Sequence, residues 1–329
     1  MKNKILLALK IILSGILLTY LLSTIPLNEI IDSIFSTDLF LFLAGMLLAM
    51  PINYLSALET QYLTRIQGIN LSVFEILKIH LVTNFYGLFL PGTLSGGAVK
   101  WYKFSKHGNK STAAAVVVFN RFLEILMIVF IGIIFSFPAF YSLGNQNLFV
   151  VLALILFFMI MLYFLFLNKS GLNFITKIFL ILPLPGFIKE IIGKLADAMH
   201  QFRNLSLREH FEIIGLLFLY HVIGVLSFFC FAKSLNINLS IWILGWVRSA
   251  MALAIMLPFS FAGLGIREGT LVFLLGQYGV MQSDSMALSF LFLFRSILTS
   301  LTGGLFELKD FAFSKKKKEN DTIEIIEKN

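Results

Sequence analysis

Long apolar stretches separated by short polar connections dominate the chain. Six of them cover residues 5–24, 39–58, 112–137, 148–167, 211–232 and 286–307. At about 1.5 Å per helical residue, each is long enough to cross a hydrocarbon core of roughly 30 Å. The pattern therefore predicts an all-α polytopic membrane protein with six full spans.

Two further apolar stretches, residues 74–104 and 241–280, are interrupted near their middles by Pro and Gly. Irregular backbone is tolerated at membrane depth only where it is buried in protein or lines a wet cavity. Such a break fits a helix that enters the bilayer, stops and returns. We interpret both stretches as re-entrant helical hairpins, which gives eight membrane segments in one transmembrane domain, residues 1–310.

The basic residues predict the orientation of these segments. With the segments arranged in this way, 21 of the 26 Lys and Arg residues lie at one end of the bundle, and only Lys233 lies at the other. The positive-inside rule places the Lys-rich end in the cytoplasm. We therefore expect a multi-pass protein of the cytoplasmic (inner or plasma) membrane with both termini cytoplasmic. The basic-to-acidic tail, residues 311–329, is expected to be disordered.

Composition narrows the chemistry that the chain can perform. Apolar residues make up 58% of the chain and charged residues 13%, far from the values of soluble domains. The net charge of +8 follows the predicted topology and does not call for a nucleic-acid partner. The single Cys230 excludes a disulfide framework, and the five His residues show no metal-ligand spacing. We expect no metal and no cofactor.

The two broken stretches match each other without a gap. Residues 90–100 read LPGTLSGGAVK, and residues 257–267 read LPFSFAGLGIR. The aligned pairs are Pro91 with Pro258, Thr93 with Ser260, Gly96 with Gly263, and Lys100 with Arg267. Each copy follows two spans and precedes one, and the two copies have opposite orientations. The sequence thus predicts a 4+4 inverted repeat, residues 1–137 and 148–310, an arrangement found in carriers with a midplane site.

The breaks have the chemistry of an anion site. Restarting half-helices would aim N–H groups and positive dipole ends at the bilayer centre, while glycine lets the backbone approach a ligand. A phosphate would fit there. The candidate substrate-binding residues at the breaks are Pro91, Gly92, Thr93, Ser95, Gly96, Gly97, Lys100, Pro258, Ser260, Gly263, Gly265, Arg267 and Glu268. The alternative interpretation is that Pro and Gly only kink ordinary spanning helices.

Deep charges add further candidates. Arg121 lies roughly 13 Å from the end of its span, and Glu124 follows one turn later on the same face. A charge at this depth normally faces the bundle interior with a partner, so the pair is either part of the substrate site or a structural ion pair. Arg295 lies similarly deep in the last span and joins the candidates. Glu59 and Asn84 are candidates for cavity lining only.

Two other features give weaker signals. Arg248 lies between Trp242 and Trp246, a setting typical of an interfacial anchor. Residues 187–204 repeat apolar positions at helical spacing opposite basic ones, which predicts an amphipathic helix on the membrane surface. The other interpretation of this helix is a connector that packs its apolar face against the bundle.

Three motifs carry a resemblance to a known family. Residues 90–102 (LPGTLSGGAVKWY), 120–124 (NRFLE) and 257–269 (LPFSFAGLGIREG) resemble the signatures of the lysylphosphatidylglycerol synthase transmembrane-region family, also called flippase-like integral membrane proteins. The resemblance covers essentially the whole chain and implies a lipid-translocating module. Fused members of the family carry a separate cytoplasmic domain that makes aminoacylated phosphatidylglycerol. We expect that aminoacyltransferase domain to be absent here.

Three functions from different classes remain open. The favoured one is a flippase that moves an anionic or aminoacylated phospholipid, or a lipid-linked substrate, between leaflets. Arg121 and Arg267 are then predicted to bind its headgroup. The others are a permease for a small soluble anion and a non-catalytic membrane partner of a lipid-modifying or glycosyltransferase enzyme. The chain has no Asp-x-Asp motif and no Walker sequence, so we expect a transporter and not an enzyme. The expected partners are membrane phospholipid and a separate lipid-modifying enzyme.

Overall fold

A computed structural model describes residues 2–89, 94–143, 146–181, 185–256 and 263–327, and in these ranges the chain is helical without strands. The helices are α1 (Lys2–Thr24), α2 (Leu27–Phe35), α3 (Leu39–Leu47), α4 (Ala49–Ile66), α5 (Val73–Phe89), α6 (Leu94–Phe104), α7 (Lys110–Leu143), α8 (Gln146–Leu167), α9 (Lys169–Ile181), α10 (Gly186–Met199), α11 (Leu207–Ser234), α12 (Ile241–Met256), α13 (Ile266–Gly276) and α14 (Gln282–Glu327). A short 3-10 helix, His200–Asn204, follows α10. The predicted all-α class is confirmed. The last helix continues to Glu327, beyond the start of the predicted disordered tail, because Lys and Glu favour the helix.

Helices long and apolar enough to cross a membrane form the body of the molecule. Four such stretches are Leu39–Ile66, Lys110–Pro138, Leu207–Ser234 and Gln282–Phe311. The pairs α1–α2 and α8–α9 also qualify, but they bend by 85° and 101° at their breaks. The chain is therefore a multi-pass membrane protein with four to six candidate spans among its described residues. All six predicted apolar stretches fall on helices.

Two pairs of shorter helices occupy the interrupted stretches. The 17-residue α5 packs against α6, and the 16-residue α12 packs against α13. At about 1.5 Å per residue, α5 and α12 are each roughly 25 Å long, less than a hydrocarbon core of roughly 30 Å. Their lengths fit helices that enter a membrane and return. The predicted turning points, residues 90–93 and 257–262, lie outside the described residues.

The two halves of the chain interlock. Helix α5, in the first interrupted stretch, packs against α14, and α12, in the second interrupted stretch, packs against α7. A Cβ added to Gly303 would lie 2.0 Å from the carbonyl oxygen of Leu81, and one added to Gly245 would lie 2.3 Å from Cδ1 of Phe135. Glycine therefore permits both close helix contacts, as small residues do in membrane bundles.

Capping boxes fix the starts of α5 and α11. The backbone N–H of Ser72 donates to Oε2 of Glu75 at 2.8 Å, and that of Ser206 donates to Oε2 of Glu209 at 2.7 Å. In return, each Ser hydroxyl oxygen accepts a bond of 3.3 Å from the backbone N–H of its Glu. These contacts satisfy donors of the first turn, which have no partner inside the helix.

The amphipathic connection packs partly on the bundle. Phe202 stacks on Phe119 with ring centroids 4.3 Å apart. The side-chain amide of Gln67 donates to the carbonyl of Ala198 at 2.8 Å. Ile191, nearer the start of α10, is 59% exposed. The second half of this segment thus anchors α10 to the helix bundle, while its first half presents apolar surface.

Candidate functional site

A cavity with polar and apolar lining residues lies among α4, α5, α6, α11, α12 and α14, and we call it the central chamber. Its volume is about 380 Å³, within the roughly 300–1,000 Å³ of many small-molecule sites. The residues that line it are Ile52, Asn53, Thr83, Asn84, Gly87, Leu88, Gly96, Tyr220, Ile255, Gly263, Phe292, Arg295, Ser296, Thr299 and Ser300. Helices from both halves of the chain therefore enclose one space.

Glycines that follow each of the two predicted breaks line the central chamber. Gly96, in the first turn of α6, and Gly263, just before α13, both line it. Gly263 has a φ of +78°, a backbone conformation that residues other than glycine rarely adopt. A Cβ on Gly96 would lie 3.2 Å from Cγ2 of Thr83, so the space beside it is already filled. Asn84, predicted as a cavity-lining candidate, also lines this chamber.

Arg295 brings positive charge to the central chamber. Its guanidinium lies over the ring of Phe292, 5.6 Å from the ring centroid. Ser296 and Thr299 follow on the same helix and line the chamber, and the Thr299 hydroxyl donates to the carbonyl of Arg295 at 2.9 Å. The buried hydroxyl of Thr83 has no hydrogen-bond partner among the described residues. A guanidinium with hydroxyl donors, and without a carboxylate among the lining residues, suits an anionic group.

A second cavity adjoins the first, and we call it the arginine chamber. It also has a volume of about 380 Å³. Its lining residues are Arg121, Glu124, Ile128, Tyr220, His221, Arg248, Met251, Ala252, Ile255, Met256 and Phe292. Tyr220, Ile255 and Phe292 line both chambers. These three side chains form the partition between the two spaces.

Arg121 and Glu124 form an ion pair in the arginine chamber. Nη1 of Arg121 lies 3.3 Å from Oε2 of Glu124, one turn apart on α7. The side chains remain 40% and 21% exposed, so both can still contact a ligand. An ion pair therefore forms, and it lines a cavity.

Arg248 lines the arginine chamber, whereas the sequence predicted it at the membrane interface. It is only 9% exposed and lines the arginine chamber, so it is not an interfacial anchor. A Cβ on Gly224 would lie 2.2 Å from its Nη2 atom, and the glycine therefore leaves room for the guanidinium. The neighbouring tryptophans favoured the wrong interpretation. The available signal was that Arg248 lies in the middle of an apolar helix, about two turns from its start.

Arg267 and Glu268 form a buried cluster with Ser289. They are 4% and 0% exposed and make a salt bridge. The Ser289 hydroxyl accepts from Nε of Arg267 at 2.8 Å and donates to Oε1 of Glu268 at 2.9 Å. Oε2 of Glu268 accepts from the backbone N–H of Gly265 at 2.7 Å, which caps α13. This cluster positions the returning helix and does not line either chamber.

Lys100 has a related place in the first half. Its Nζ donates to Oδ1 of Asn120 at 3.3 Å, and Asn120 donates to Oε2 of the buried Glu59 at 2.8 Å. In both halves, therefore, the cation at the end of the break bonds a polar side chain on the following span. For Arg267 that side chain is Ser289. The pairing supports the alignment of Lys100 with Arg267.

The structure brings together only part of the predicted site. Gly96, Gly263 and Arg295 line the central chamber, and Arg121 and Glu124 line the arginine chamber. The predicted residues placed elsewhere in the hairpins are Ser95, Gly97, Lys100, Gly265, Arg267 and Glu268. The predicted residues outside the described part of the chain are Pro91, Gly92, Thr93, Pro258 and Ser260.

Ion pairs join the first hairpin to α14 at the Lys-rich end. Nζ of Lys78 lies 2.5 Å from Oδ1 of Asp310, and Nζ of Lys103 lies 2.6 Å from Oε2 of Glu307. The Tyr86 hydroxyl also donates to Glu307, at 3.2 Å. The contacts of Lys78 and Tyr86 lie on the same α5–α14 seam as the close contact at Gly303, and Lys103 joins α6 to α14 beside this seam.

Comparison with known proteins gives one match. The sequence model described as "Lysylphosphatidylglycerol synthase TM region" matches residues 6–304, nearly the whole chain. Searches of curated proteins and of solved structures gave no match. The matched range contains both hairpins and every residue of the two chambers.

Proposed function

The chain belongs to the lysylphosphatidylglycerol synthase TM region family, and from that premise we propose that it moves a phospholipid between the leaflets of a membrane. The substrate is an anionic or aminoacylated phospholipid, or a related lipid-linked anion. Its headgroup occupies the central chamber while its acyl chains stay in the bilayer. In this proposal the chain is a transporter without catalytic chemistry, and a separate lipid-modifying enzyme supplies the substrate.

One observation carries the proposal. Gly96 and Gly263, from the two breaks, line the same cavity together with Arg295. A broken helix that lines a polar cavity can offer its free backbone N–H groups to an anion. The charge of Arg295 and the hydroxyl of Ser296, both from α14, complete a site for a phosphate. A kink in an ordinary spanning helix would not require the two breaks to meet.

The packing supports a carrier built from two related halves. The contacts of α5 with α14 and of α12 with α7 exchange the hairpins between the halves in the same way. This exchange is what a 4+4 inverted repeat of six spans and two re-entrant hairpins requires. In such a carrier, rocking of the halves exposes a fixed site alternately to the two sides. Both termini then lie in the cytoplasm, at the Lys-rich end.

A lipid-transfer experiment tests this function. Purified protein is placed in sealed vesicles that contain fluorescent phosphatidylglycerol, and a membrane-impermeant quencher reports the label in the outer leaflet. We expect the protein to make inner-leaflet label accessible, and Arg295→Gln to slow this at least about tenfold through loss of a charge-assisted bond. Arg208→Gln is the matched control, because this arginine is 86% exposed at the start of α11.

Two results would exclude the lipid-transporter proposal. The first is folded wild-type protein that leaves the inner-leaflet label as protected as in protein-free vesicles. The second is uptake of radiolabelled phosphate into the same vesicles without movement of lipid, which would identify a permease. A transfer rate that Arg295→Gln leaves unchanged would instead place the headgroup elsewhere in the protein.

A further inference from the structure

We propose that Arg248 and Arg295 together hold one phosphate group at the partition between the two chambers. This inference rests on the proposed function and specifies its site. Arg248 comes from α12 and Arg295 from α14, and Tyr220 and Phe292 lie between the chambers that they line. The phosphate belongs either to a lipid headgroup or to a free anion, and the experiment below distinguishes these sources.

Arg248 is a buried cation without a balancing carboxylate. It is 9% exposed, and its Nε atom has no hydrogen-bond partner among the described residues. No ion pair of Arg248 occurs in the described part of the chain, whereas Arg121 in the same chamber has Glu124. A buried charge without a partner is costly in free energy, so an anionic ligand in the chamber would stabilise it strongly.

The position of the Arg248 guanidinium is set by packing. The guanidinium lies directly against Gly224 of α11, where a Cβ would be 2.2 Å from Nη2 and 2.7 Å from Cζ. Any larger residue at position 224 would displace it. The Arg248 side chain thus has a defined site, which is the preorganisation that tight binding of an anion requires.

A second guanidinium belongs to the adjoining chamber. Arg295 lines the central chamber and Arg248 the arginine chamber, and Tyr220, Ile255 and Phe292 line both. The two cations also interact electrostatically. Two like charges repel each other in a poorly solvated place, and an anion between them would turn this repulsion into attraction. Three arginines and one glutamate line the two chambers, which leaves two positive charges in excess among the described lining residues.

Phosphate matches this arrangement better than a carboxylate does. Each guanidinium presents a planar fork of donors, and a phosphate has enough acceptor oxygens to engage two forks that come from different helices. His221 also lines the arginine chamber, and both of its buried ring nitrogens are without partners among the described residues. Its ring lies beside Tyr220, with centroids 4.7 Å apart. A further donor is therefore available for a phosphate oxygen.

Binding of short-chain lipid and of free phosphate tests the inference. Protein in mild detergent is titrated with dihexanoyl phosphatidylglycerol or with inorganic phosphate, and binding is followed by thermophoresis. We expect Arg248→Gln to weaken binding about tenfold to a hundredfold. The affinity of Arg248→Lys should lie between those of the wild type and Arg248→Gln, because lysine keeps the charge and lacks the planar fork of donors. Arg208→Gln should bind as the wild type does.

A second variant moves the guanidinium without removing its charge. Gly224→Ala places a methyl group 2.2 Å from the position of Nη2, so the guanidinium must shift while its charge remains, and affinity should fall less than in Arg248→Gln. Gly215→Ala is the matched control on the same helix, because nothing lies within 4 Å of its added Cβ. Equal affinities for Gly224→Ala and Gly215→Ala would overturn the inference.

Stability separates a ligand-binding cation from a structural one. Arg248→Met should raise the Tm of ligand-free protein, because it removes an unbalanced buried charge, and it should abolish the rise in Tm caused by phosphate. A lower Tm for ligand-free Arg248→Met, with phosphate stabilisation intact, would show a structural role and overturn the inference.

The two ligands identify the source of the phosphate. Binding of dihexanoyl phosphatidylglycerol that inorganic phosphate displaces assigns the site to a lipid headgroup, and binding of inorganic phosphate alone assigns it to a free anion. Binding of neither excludes the site. Wild-type protein that binds the lipid through Arg248 but moves none in vesicles would refute the proposed transport and leave this inference standing. If Arg248→Gln still transports lipid and binds it with unchanged affinity, this inference is refuted and the proposed transport stands.

Discussion

Gly303 of α14 faces the backbone of Leu81 of α5 so closely that an added Cβ would lie 2.0 Å from the leucine carbonyl oxygen. Backbone cannot move aside as the end of a flexible side chain can. Gly303→Ala should therefore separate α5 from α14 and lower the free energy of unfolding by about 1–3 kcal/mol or more. Thermal unfolding in detergent measures this. Gly269→Ala is the control, because its Cβ would meet nothing within 4 Å. Equal melting temperatures would contradict the close contact.

The buried pair Arg267 and Glu268 should matter for folding more than for ligand affinity. Removal of one partner leaves the other charge buried, so Arg267→Gln should cost about 3–5 kcal/mol of stability. Ligand affinity of the fraction that folds should stay within about twofold of wild type. Unfolding curves and binding titrations on the same preparation provide both values. A stable Arg267→Gln protein with greatly weakened phosphate binding would instead place Arg267 at the ligand.

Charge-reversal variants test the ion pair between Lys103 and Glu307. Their side chains are 17% and 27% exposed, so the pair should contribute no more than about 1 kcal/mol. Lys103→Glu should separate α6 from α14 beside the α5–α14 seam. It should speed labelling of a cysteine placed at Thr299, in a Cys230→Ser background, up to about fivefold. The double variant with Glu307→Lys should restore slow labelling. If the double variant is labelled as fast as Lys103→Glu alone, the Lys103–Glu307 ion pair does not limit access to Thr299.

Labelling of single cysteines tests the course of the hairpins. In a Cys230→Ser background, cysteines at Lys78 and Lys106 should react with an impermeant reagent from one side of the membrane. Cysteines at Asn236 and Asp284 should react from the other side. The reason is that each hairpin returns to the side from which it started. Opposite sides for the two members of either pair would remove the inverted repeat.

Periodicity and apolar length predicted the helices well, because a membrane span needs about twenty apolar residues wherever it packs. The division of the interrupted stretches into α5 and α6, and into α12 and α13, was also predictable, since Pro and Gly interrupt otherwise continuous apolar stretches. The meeting of Gly96 and Gly263 at one cavity agrees with the alignment of the two motifs. In these respects local composition determines the structure.

The partners of the charged residues were harder to predict. Arg121 and Arg267 each have a carboxylate nearby in sequence, yet the first pair faces a cavity and the second is sealed against Ser289. The difference comes from the packing of neighbouring helices, which the spacing of charges does not contain. Arg248 was missed for the same reason. Its site depends on Gly224 of another helix, and the two residues come together only in the folded bundle.

The seam between α5 and α14 has a consequence for the order of synthesis. The residues that join across it and beside it are far apart in the chain: Lys78 of α5 and Asp310 are separated by 232 positions, and Lys103 of α6 and Glu307 by 204. At roughly 5–20 residues per second, the ribosome makes the partner of the first hairpin about 10–40 s after the hairpin itself. During this interval α5 has no α14 to pack against. The polar residues at the predicted break in the first half must therefore be covered by other contacts until translation is almost complete. Chains that stop before Gly303 cannot form the α5–α14 contact.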